Sequence, residues 1–157
     1  MIKLLIIEDD LYKSNAISEY LRDELNINNI TCRESLSSGV FEVLDNPDYD
    51  LILLDMSMST YDISDKDPVG GIPESFAGED FLAQMELLGY KIPILVVTQY
   101  DTFGAGDDSF PLKILDNKLS KKHPEIYKGS IFFRSISNEW KVLLKEKLYE
   151  VLNWIFF

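Results

Sequence analysis

The stretch that decides the fold is Leu51–Asp55, with the sequence LILLD, in which four apolar residues run directly into one carboxylate. The run is too apolar for a strand with one solvated face and too short for a typical buried helix. It therefore predicts a central strand of a parallel sheet, covered on both faces. Asp55 would then stand at the carboxyl end of that strand, where open α/β sheets place their binding and catalytic groups.

Four further short apolar segments read as strands, and each of the five is followed by a segment with apolar residues at helical spacing. These strands are Lys3–Ile7, Ile30–Cys32, Ile92–Val97 and Ser130–Phe133. Five alternations of strand and amphipathic helix predict a doubly wound α/β fold with a parallel five-stranded sheet. We expect residues 1–157 to form a single domain, a size that buries a full core.

Two polar segments rich in turn-forming residues are predicted to be loops, at residues 59–78 and 99–109,. The first is long for a loop in a compact domain, which is typical of functional or mobile segments. The helices that follow are predicted to begin at Glu79 and at Pro111, since proline is well tolerated in a first turn. The last helix is predicted to begin near Ser137.

Composition excludes several classes of protein. The chain is 46% hydrophobic and 27% charged, as in ordinary globular proteins, and no window approaches the ~18 apolar residues of a membrane span,. The net charge of −12 argues against binding to nucleic acid,. The acids at residues 8–10 do not fit a signal peptide, and the single Cys32, expected in the core, fits a reducing cytoplasm. His123 is expected at the surface.

Parallel strands bring their carboxyl ends to one edge of the sheet, and the predicted strands end in polar residues there. The residues are Glu8, Asp9, Asp55, Thr98 and Arg134. Three close carboxylates repel one another, and a divalent cation relieves that repulsion. With such a cation in place, Asp55 would keep one oxygen for attack on phosphorus, while Thr98 and Arg134 would bind the phosphoryl oxygens.

Mg²⁺ is the cation that this set of groups favours, because it prefers oxygen ligands and keeps several waters. We expect Asp9 and Asp55 to coordinate it directly and Glu8 to act through water. The backbone carbonyl of Ser57, two residues beyond Asp55, is a further candidate ligand.

Simpler interpretations stay open at several of these positions. Residues 8–10 could cap the first helix, a role compatible with metal binding. Arg134 could form a salt bridge to Asp55 in a metal-free, inactive site. Residues 154–157, with the sequence WIFF, could pack into the core or form an exposed apolar patch that supports a homodimer,.

The sequence resembles the receiver domains of two-component response regulators. The likeness is carried by LIIEDD at Leu5–Asp10, DLILLDMSM at Asp50–Met58 and PILVVT at Pro93–Thr98, and by the last strand before an amphipathic helix. The resemblance implies a flavodoxin-like (βα)5 fold with strand order 2-1-3-4-5.

The resemblance also implies roles for individual residues. Asp55 would be the phosphoacceptor, Mg²⁺ would be held at Glu8, Asp9 and Asp55, and Thr98 would be the switch hydroxyl. The chain departs from the family pattern in carrying Arg134-Ser135 where receivers have Lys-Pro, and Ile131 where they often have an aromatic residue. Arginine is longer than lysine, planar and forked, so the exchange is not conservative.

Two functions follow as hypotheses. In the first, the chain is a stand-alone receiver that accepts a phosphoryl group on Asp55 from a histidine kinase or phosphotransfer protein and switches binding of a downstream protein. In the second, it is a degenerate receiver that binds its partner independently of phosphate. Neither is a turnover enzyme; a Mg²⁺-dependent hydrolase is disfavoured because no general base accompanies the acids. We expect a cytoplasmic protein with no direct contact to nucleic acid or membrane.

Overall fold

The computed structural model describes residues 1–58, 77–104, 107 and 109–153 of the chain. In chain order the elements are β1 (Lys3–Ile7), α1 (Leu11–Asp23), β2 (Asn29–Arg33), α2 (Leu36–Asp45), β3 (Leu51–Leu54), α3 (Ala77–Leu87), β4 (Ile94–Thr98), β5 (Thr102–Phe103), β6 (Phe110–Pro111), α4 (Leu112–Lys122), β7 (Tyr127–Phe132) and α5 (Glu139–Leu152). None of the helices in these ranges combines the length and the apolar character needed to cross a bilayer.

Five strands form a parallel sheet with the spatial order β2-β1-β3-β4-β7. Since β7 is the fifth strand of this sheet along the chain, the predicted order 2-1-3-4-5 is confirmed. The doubly wound, flavodoxin-like fold is confirmed with it. The carboxyl ends of β1, β3, β4 and β7 therefore lie along one edge of the sheet.

Hydrophobic clusters cover both faces of the sheet, which explains why its central strands are apolar throughout. On one face the buried residues come from α2, α3 and α4, and on the other they come from α1 and α5. In the second cluster, Trp140 of α5 packs edge-on against Tyr20, with ring centroids 5.5 Å apart, and at a tilt against Phe133 at 5.0 Å. The four residues of β3 are all fully buried.

Asp10 fixes the start of α1. Its carboxylate accepts hydrogen bonds from the backbone N–H groups of Tyr12 and Lys13, at 3.0 and 3.3 Å. An acidic N-cap of this kind stabilises a helix by satisfying its free N–H groups. Because Asp10 supplies the cap, Glu8 and Asp9 remain for other contacts at the edge of the sheet.

Several element starts differ from the predictions. The start of α3 is Ala77 instead of residue 79, that of β4 is Ile94 instead of 92, that of β7 is Tyr127 instead of 130, and α5 begins at Glu139, past the expected Ser137. The early start of β7 has a physical reason. Tyr127 is buried and donates its hydroxyl to Asp116 of α4, and Ser130 donates to the same carboxylate at 3.1 Å. Contacts with the preceding helix thus accompany the longer strand, and the apolar pattern of the strand alone does not reveal them.

The predicted loop at 99–109 contains a strand. β5 pairs antiparallel with β6, and the rings of Phe103 and Phe110 lie 6.3 Å apart. The ammonium of Lys118 sits 4.3 Å above the Phe110 ring. Pro111 is the N-cap of α4, one position before the first helical residue. Most of the predicted loop at 59–78, and the apolar segment 154–157, lie outside the described residues.

Two predictions about single residues are wrong. Cys32 is exposed because β2 is an edge strand with an uneven burial pattern. His123, expected at the surface, is 1% exposed and ends α4, with its Nδ1 atom 3.0 Å from a carboxylate oxygen of Glu86. This contact joins the end of α4 to α3, and the sequence pattern does not reveal it.

Gly78 lets α3 approach the end of β3, and its replacement by alanine should destabilise the protein by about 1–3 kcal/mol. An added Cβ would lie 2.7 Å from the carbonyl oxygen of Asp55 and 2.9 Å from the Cα of Met56, both backbone atoms that cannot swing away. This clash outweighs the ~1 kcal/mol by which alanine favours a helix. Urea unfolding measures the change.

The matched control for Gly78→Ala is Ala83→Gly, at an exposed position of the same helix. It should destabilise through helix propensity alone, by about 1 kcal/mol. If Gly78→Ala instead stabilises the protein, the close approach of α3 to the end of β3 is contradicted.

Candidate functional site

Backbone hydrogen bonds set Glu8 and Asp55 side by side at the carboxyl edge of the sheet. The N–H of Asp55 donates to the carbonyl of Ile7 at 3.0 Å, and the N–H of Glu8 donates to the carbonyl of Arg33 at 2.9 Å. Both bonds continue the sheet ladder one residue beyond the strands. Carboxylate oxygens of Glu8, Asp9 and Asp55 lie within 4.8 Å of one another.

The three carboxylates differ in their exposure to solvent. Glu8 is 5% exposed and Asp55 is 4% exposed, whereas Asp9 is an exposed residue. Two carboxylates buried this deeply need a compensating charge, because an unpaired buried ion is strongly destabilising.

That charge comes from Lys13, which the sequence analysis missed. Lys13 lies in the first turn of α1 and is 1% exposed. Its ammonium is in direct ionic contact with Glu8, lies 3.3 Å from Oδ1 of Asp55, and donates a 2.7 Å hydrogen bond to the carbonyl of Val97. All three donors of the ammonium thus face oxygens at this edge of the sheet.

Burial decides the protonation of the two acids. Desolvation raises the pKa of Glu8 from its ordinary value of 4.5 to about 9, since the attraction of Lys13 only partly opposes it and the charge of Asp55 adds to it. Desolvation also raises the pKa of Asp55, against the opposing pull of the Lys13 ammonium. Without a further cation, the folded site therefore favours a proton on Glu8 at neutral pH.

Thr98 is the last residue of β4 and is fully buried. Its hydroxyl oxygen accepts a hydrogen bond from the N–H of Tyr100 at 3.1 Å, and its carbonyl accepts one from the N–H of Phe133 at 2.7 Å. The strand end that carries Thr98 also carries Val97, whose carbonyl holds Lys13. Ser57 is half-buried two residues beyond Asp55, and its carbonyl as a metal ligand stays a prediction.

Arg134 does not form the salt bridge to Asp55 that the sequence left open. It follows the last strand of the sheet, is exposed, and has no ion pair with any residue in the described ranges. The ammonium beside Asp55 belongs to Lys13 instead. The physical reason is position: Lys13 is on the buried face of α1, directly above the ends of β1 and β3, whereas Arg134 leads into a solvated turn before α5.

The residues present fit a divalent cation. They offer carboxylate oxygens, the ligands that Mg²⁺ and Mn²⁺ favour, from three groups close together,. With Lys13 charged and the three acids ionised, the cluster carries a net charge of −2, which one divalent cation would neutralise. Glu8 and Asp55 each give one oxygen to Lys13, so a cation would share them with the ammonium.

Comparisons with known proteins find similar sequences and several similar structures. No protein-family model matches the sequence. The chain is 28% identical over 149 residues to the Detocs response regulatory protein DtcB of Enterobacter cloacae, an alignment that covers 95% of this chain and 99% of that protein.

Solved structures show the same fold. A response regulator receiver domain protein from Clostridium thermocellum superposes with a TM-score of 0.61 at 18% identity, covering 98% of this chain and 95% of the other. The Mn²⁺-bound form of the response regulator Rcp1 gives a TM-score of 0.61 at 14% identity, with 96% and 95% covered.

Proposed function

We propose that this chain is a receiver domain of the response-regulator type, and that it accepts a phosphoryl group on Asp55 from a histidine kinase or a phosphotransfer protein. The observation that carries the proposal is the position of Asp55. It is buried at the carboxyl edge of the sheet, with oxygens of Glu8 and Asp9 within 4.8 Å. The relationship to a response regulatory protein along nearly the whole chain supports it.

In the proposed reaction, an oxygen of the Asp55 carboxylate attacks the phosphorus of the donor and forms a new O–P bond. With a phosphohistidine donor, the P–N bond breaks, and its electron pair stays on the imidazole nitrogen, which takes up a proton. The chain assists by positioning and by charge neutralisation, as in other phosphoryl transfers. It is a phosphoacceptor and not a turnover enzyme.

Glu8, Asp9 and Asp55, with the carbonyl of Ser57, would hold Mg²⁺. When bound, the cation neutralises charge on the carboxylates and on the phosphoryl oxygens. The protein's own part is to hold these carboxylates at the ends of two strands. Burial raises the pKa of both Glu8 and Asp55, so a bound cation would stabilise their ionised forms.

Thr98 is proposed to donate its hydroxyl proton to a phosphoryl oxygen. In its hydrogen bond with Tyr100 the hydroxyl is the acceptor, so its proton is available for another partner. Because the N–H of Tyr100 bonds the same hydroxyl, that donation would shift the backbone just after Thr98. A downstream protein would bind differently to the shifted surface. Arg134, at the exposed end of β7, remains a second candidate cation for the phosphoryl group.

One observation favours the degenerate receiver as the second candidate. Lys13 already bonds both buried carboxylates, an arrangement that neutralises Asp55 without metal or phosphate. In that case the chain would act as a phosphate-independent interaction module. In either role we propose a cytoplasmic setting, a protein partner, and the possibility of a homodimer.

Incubation with acetyl phosphate and Mg²⁺ tests the proposal. We expect intact-mass spectrometry to show the addition of one phosphoryl group, and Asp55→Asn to abolish it, because an amide oxygen is a poor nucleophile. The addition should also disappear in EDTA.

Asp48→Asn is the matched control. Asp48 precedes β3, whereas Asp55 follows it, and Asp48 is exposed and paired with Lys3. It should be phosphorylated as readily as the wild type. A wild type that takes up no phosphoryl group with Mg²⁺ or Mn²⁺ would favour the degenerate receiver.

A further inference from the structure

Lys13 is the residue of this site to which the proposed phosphoryl transfer gives no role. It is among the largest fully buried side chains of the described residues. A lysine buried to this extent needs both a compensating charge and hydrogen-bond acceptors, and Lys13 has Glu8, Asp55 and the carbonyl of Val97,. These acceptors come from three different strand ends, so the ammonium lies at the centre of the edge.

We propose that Lys13 is the main catalytic cation of this receiver: its ammonium binds the phosphoryl group on Asp55 in preference to Arg134. The inference rests on the proposed phosphoacceptor function and names a residue for it. A lysine on the first helix would then supply the charge that the exposed end of β7 does not deliver.

Distance is the first argument. The Lys13 nitrogen is 3.3 Å from Oδ1 of Asp55, so oxygens of a phosphorus bonded to that carboxylate come within reach of the same ammonium. The backbone of Lys13 is held in place, because its N–H donates a hydrogen bond to the capping carboxylate of Asp10. The bond to Val97 fixes the other end beside Thr98.

Charge is the second argument. Phosphorylation of a side chain adds about −1.5 to −2 units of charge at neutral pH. A buried ammonium responds to that charge far more strongly than an exposed guanidinium, which water and salt screen. Arg134 is exposed and, within the described ranges, unpaired, whereas Lys13 is already inside the site.

Bond rearrangement is the third argument. In the resting site the ammonium divides its donors among Glu8, Asp55 and Val97. When Asp55 becomes an acyl phosphate, its own charge is lost to the O–P bond and the phosphoryl oxygens carry the charge instead. The donor that faced Asp55 then has its best acceptor on the phosphoryl group, with no movement of α1 required.

The test measures phosphorylation by acetyl phosphate at saturating Mg²⁺ in the full chain. In this reaction an Asp55 oxygen forms the O–P bond, and the P–O bond of acetyl phosphate breaks with its electron pair leaving on acetate. Lys13→Met keeps the length of the side chain and removes the charge. We expect it to slow phosphorylation by about 10- to 100-fold, the range for loss of a charge-assisted hydrogen bond.

Two further variants locate the effect. Arg134→Gln should slow phosphorylation by less than about threefold, as expected for an exposed, screened charge. Lys91→Met makes the same substitution at an exposed lysine paired with Glu125 and controls for a change in net charge. If Lys13→Met matches the wild type, or Arg134→Gln is the slower variant, the proposal for Lys13 fails.

A direct measurement covers the case in which Lys13→Met does not fold. The side-chain ¹⁵N resonance of the Lys13 ammonium in the wild type should shift when beryllium fluoride, a phosphoryl analogue, is added with Mg²⁺. An adduct that shifts the Asp55 amide and leaves the Lys13 ammonium unchanged overturns the role of Lys13. A wild type that forms neither an acetyl phosphate product nor a beryllium fluoride adduct contradicts the phosphoacceptor function itself, which is a separate result.

Discussion

Replacing Lys13 with methionine is expected to destabilise the protein by about 3–5 kcal/mol at pH 8 without divalent cations, the range for removing one partner of a buried ion pair. Methionine fits the same space, so the loss is electrostatic and not a cavity effect. Glu8 and Asp55, at 5% and 4% exposure, would lose the ammonium that both contact. Urea unfolding at several pH values measures the change.

The loss should depend on pH in a direction that identifies its cause. Without Lys13, the buried acids regain stability only by binding protons, so the difference between variant and wild type should shrink as the pH falls towards 5. Mg²⁺ should also reduce the difference, because a bound cation replaces part of the missing positive charge.

A double variant gives the sharper control. Lys13→Met combined with Asp55→Asn removes the unpaired carboxylate together with the ammonium, and should recover at least half of the lost free energy of unfolding. Lys91→Met, at an exposed pair, should change stability by less than about 1 kcal/mol,. A pH-independent loss in Lys13→Met that Asp55→Asn does not relieve would contradict the buried ion pair.

The architecture could be predicted because its signals are local. The apolar runs at residues 4–7, 51–54 and 94–97 are buried between the layers of helices, and such runs have few other uses in a chain of this size,. The polar residue after each run then lies on a shared edge by topology alone. The gathering of Glu8, Asp9 and Asp55 follows from strand order without any side-chain information.

Lys13 could not be assigned in the same way, although its spacing held a signal. Residues 13, 17 and 21 are one helical face, and Ile17 and Leu21 are both core residues. A lysine that begins an apolar face usually reaches out to solvent along its aliphatic stem. Here it stays inside because carboxylates from two strands face it, and that contact joins residues 42 positions apart. Sequence spacing does not carry that information.

The same limit applies to Arg134, the cation that the sequence places at a strand end and for which a salt bridge to Asp55 stayed open. In the structure the last backbone hydrogen bond between β4 and the end of β7 runs from the N–H of Phe133 to the carbonyl of Thr98. Arg134 follows and is exposed to solvent. A positively charged residue directly after a strand is therefore not, by itself, evidence of a positive charge beside Asp55.

Glu8→Gln is expected to remove most of the pH dependence of stability in the absence of divalent cations. The pKa of Glu8 is raised from 4.5 to about 9 in the folded protein, chiefly by burial. Between these values the folded state holds a proton that the unfolded state has released. The contribution of Glu8 to stability is therefore greatest below its pKa in the unfolded state, and it is lost as the pH rises through its pKa in the folded state.

The size of the effect follows from ~1.4 kcal/mol per pKa unit, which would give ~6 kcal/mol for the full shift of Glu8,. Entry of water and adjustment of the Lys13 ammonium reduce this free energy. We therefore expect the free energy of unfolding of the wild type to fall by about 3 kcal/mol between pH 5.5 and pH 9.5. Glutamine has nearly the same shape, cannot lose a proton in this range, and leaves Lys13 paired with Asp55. Glu8→Gln should lose less than about 1 kcal/mol over the same range, and should be the more stable protein at pH 9.5.

Urea unfolding followed by circular dichroism, in EDTA and at constant ionic strength, measures both profiles. Glu146→Gln, at an exposed position of α5, is the matched substitution and should keep the slope of the wild type. Mg²⁺ provides an independent check, because a cation that displaces the Glu8 proton must bind more tightly as the pH rises. Parallel profiles for Glu8→Gln and the wild type would show that the titrating proton belongs to a group other than Glu8.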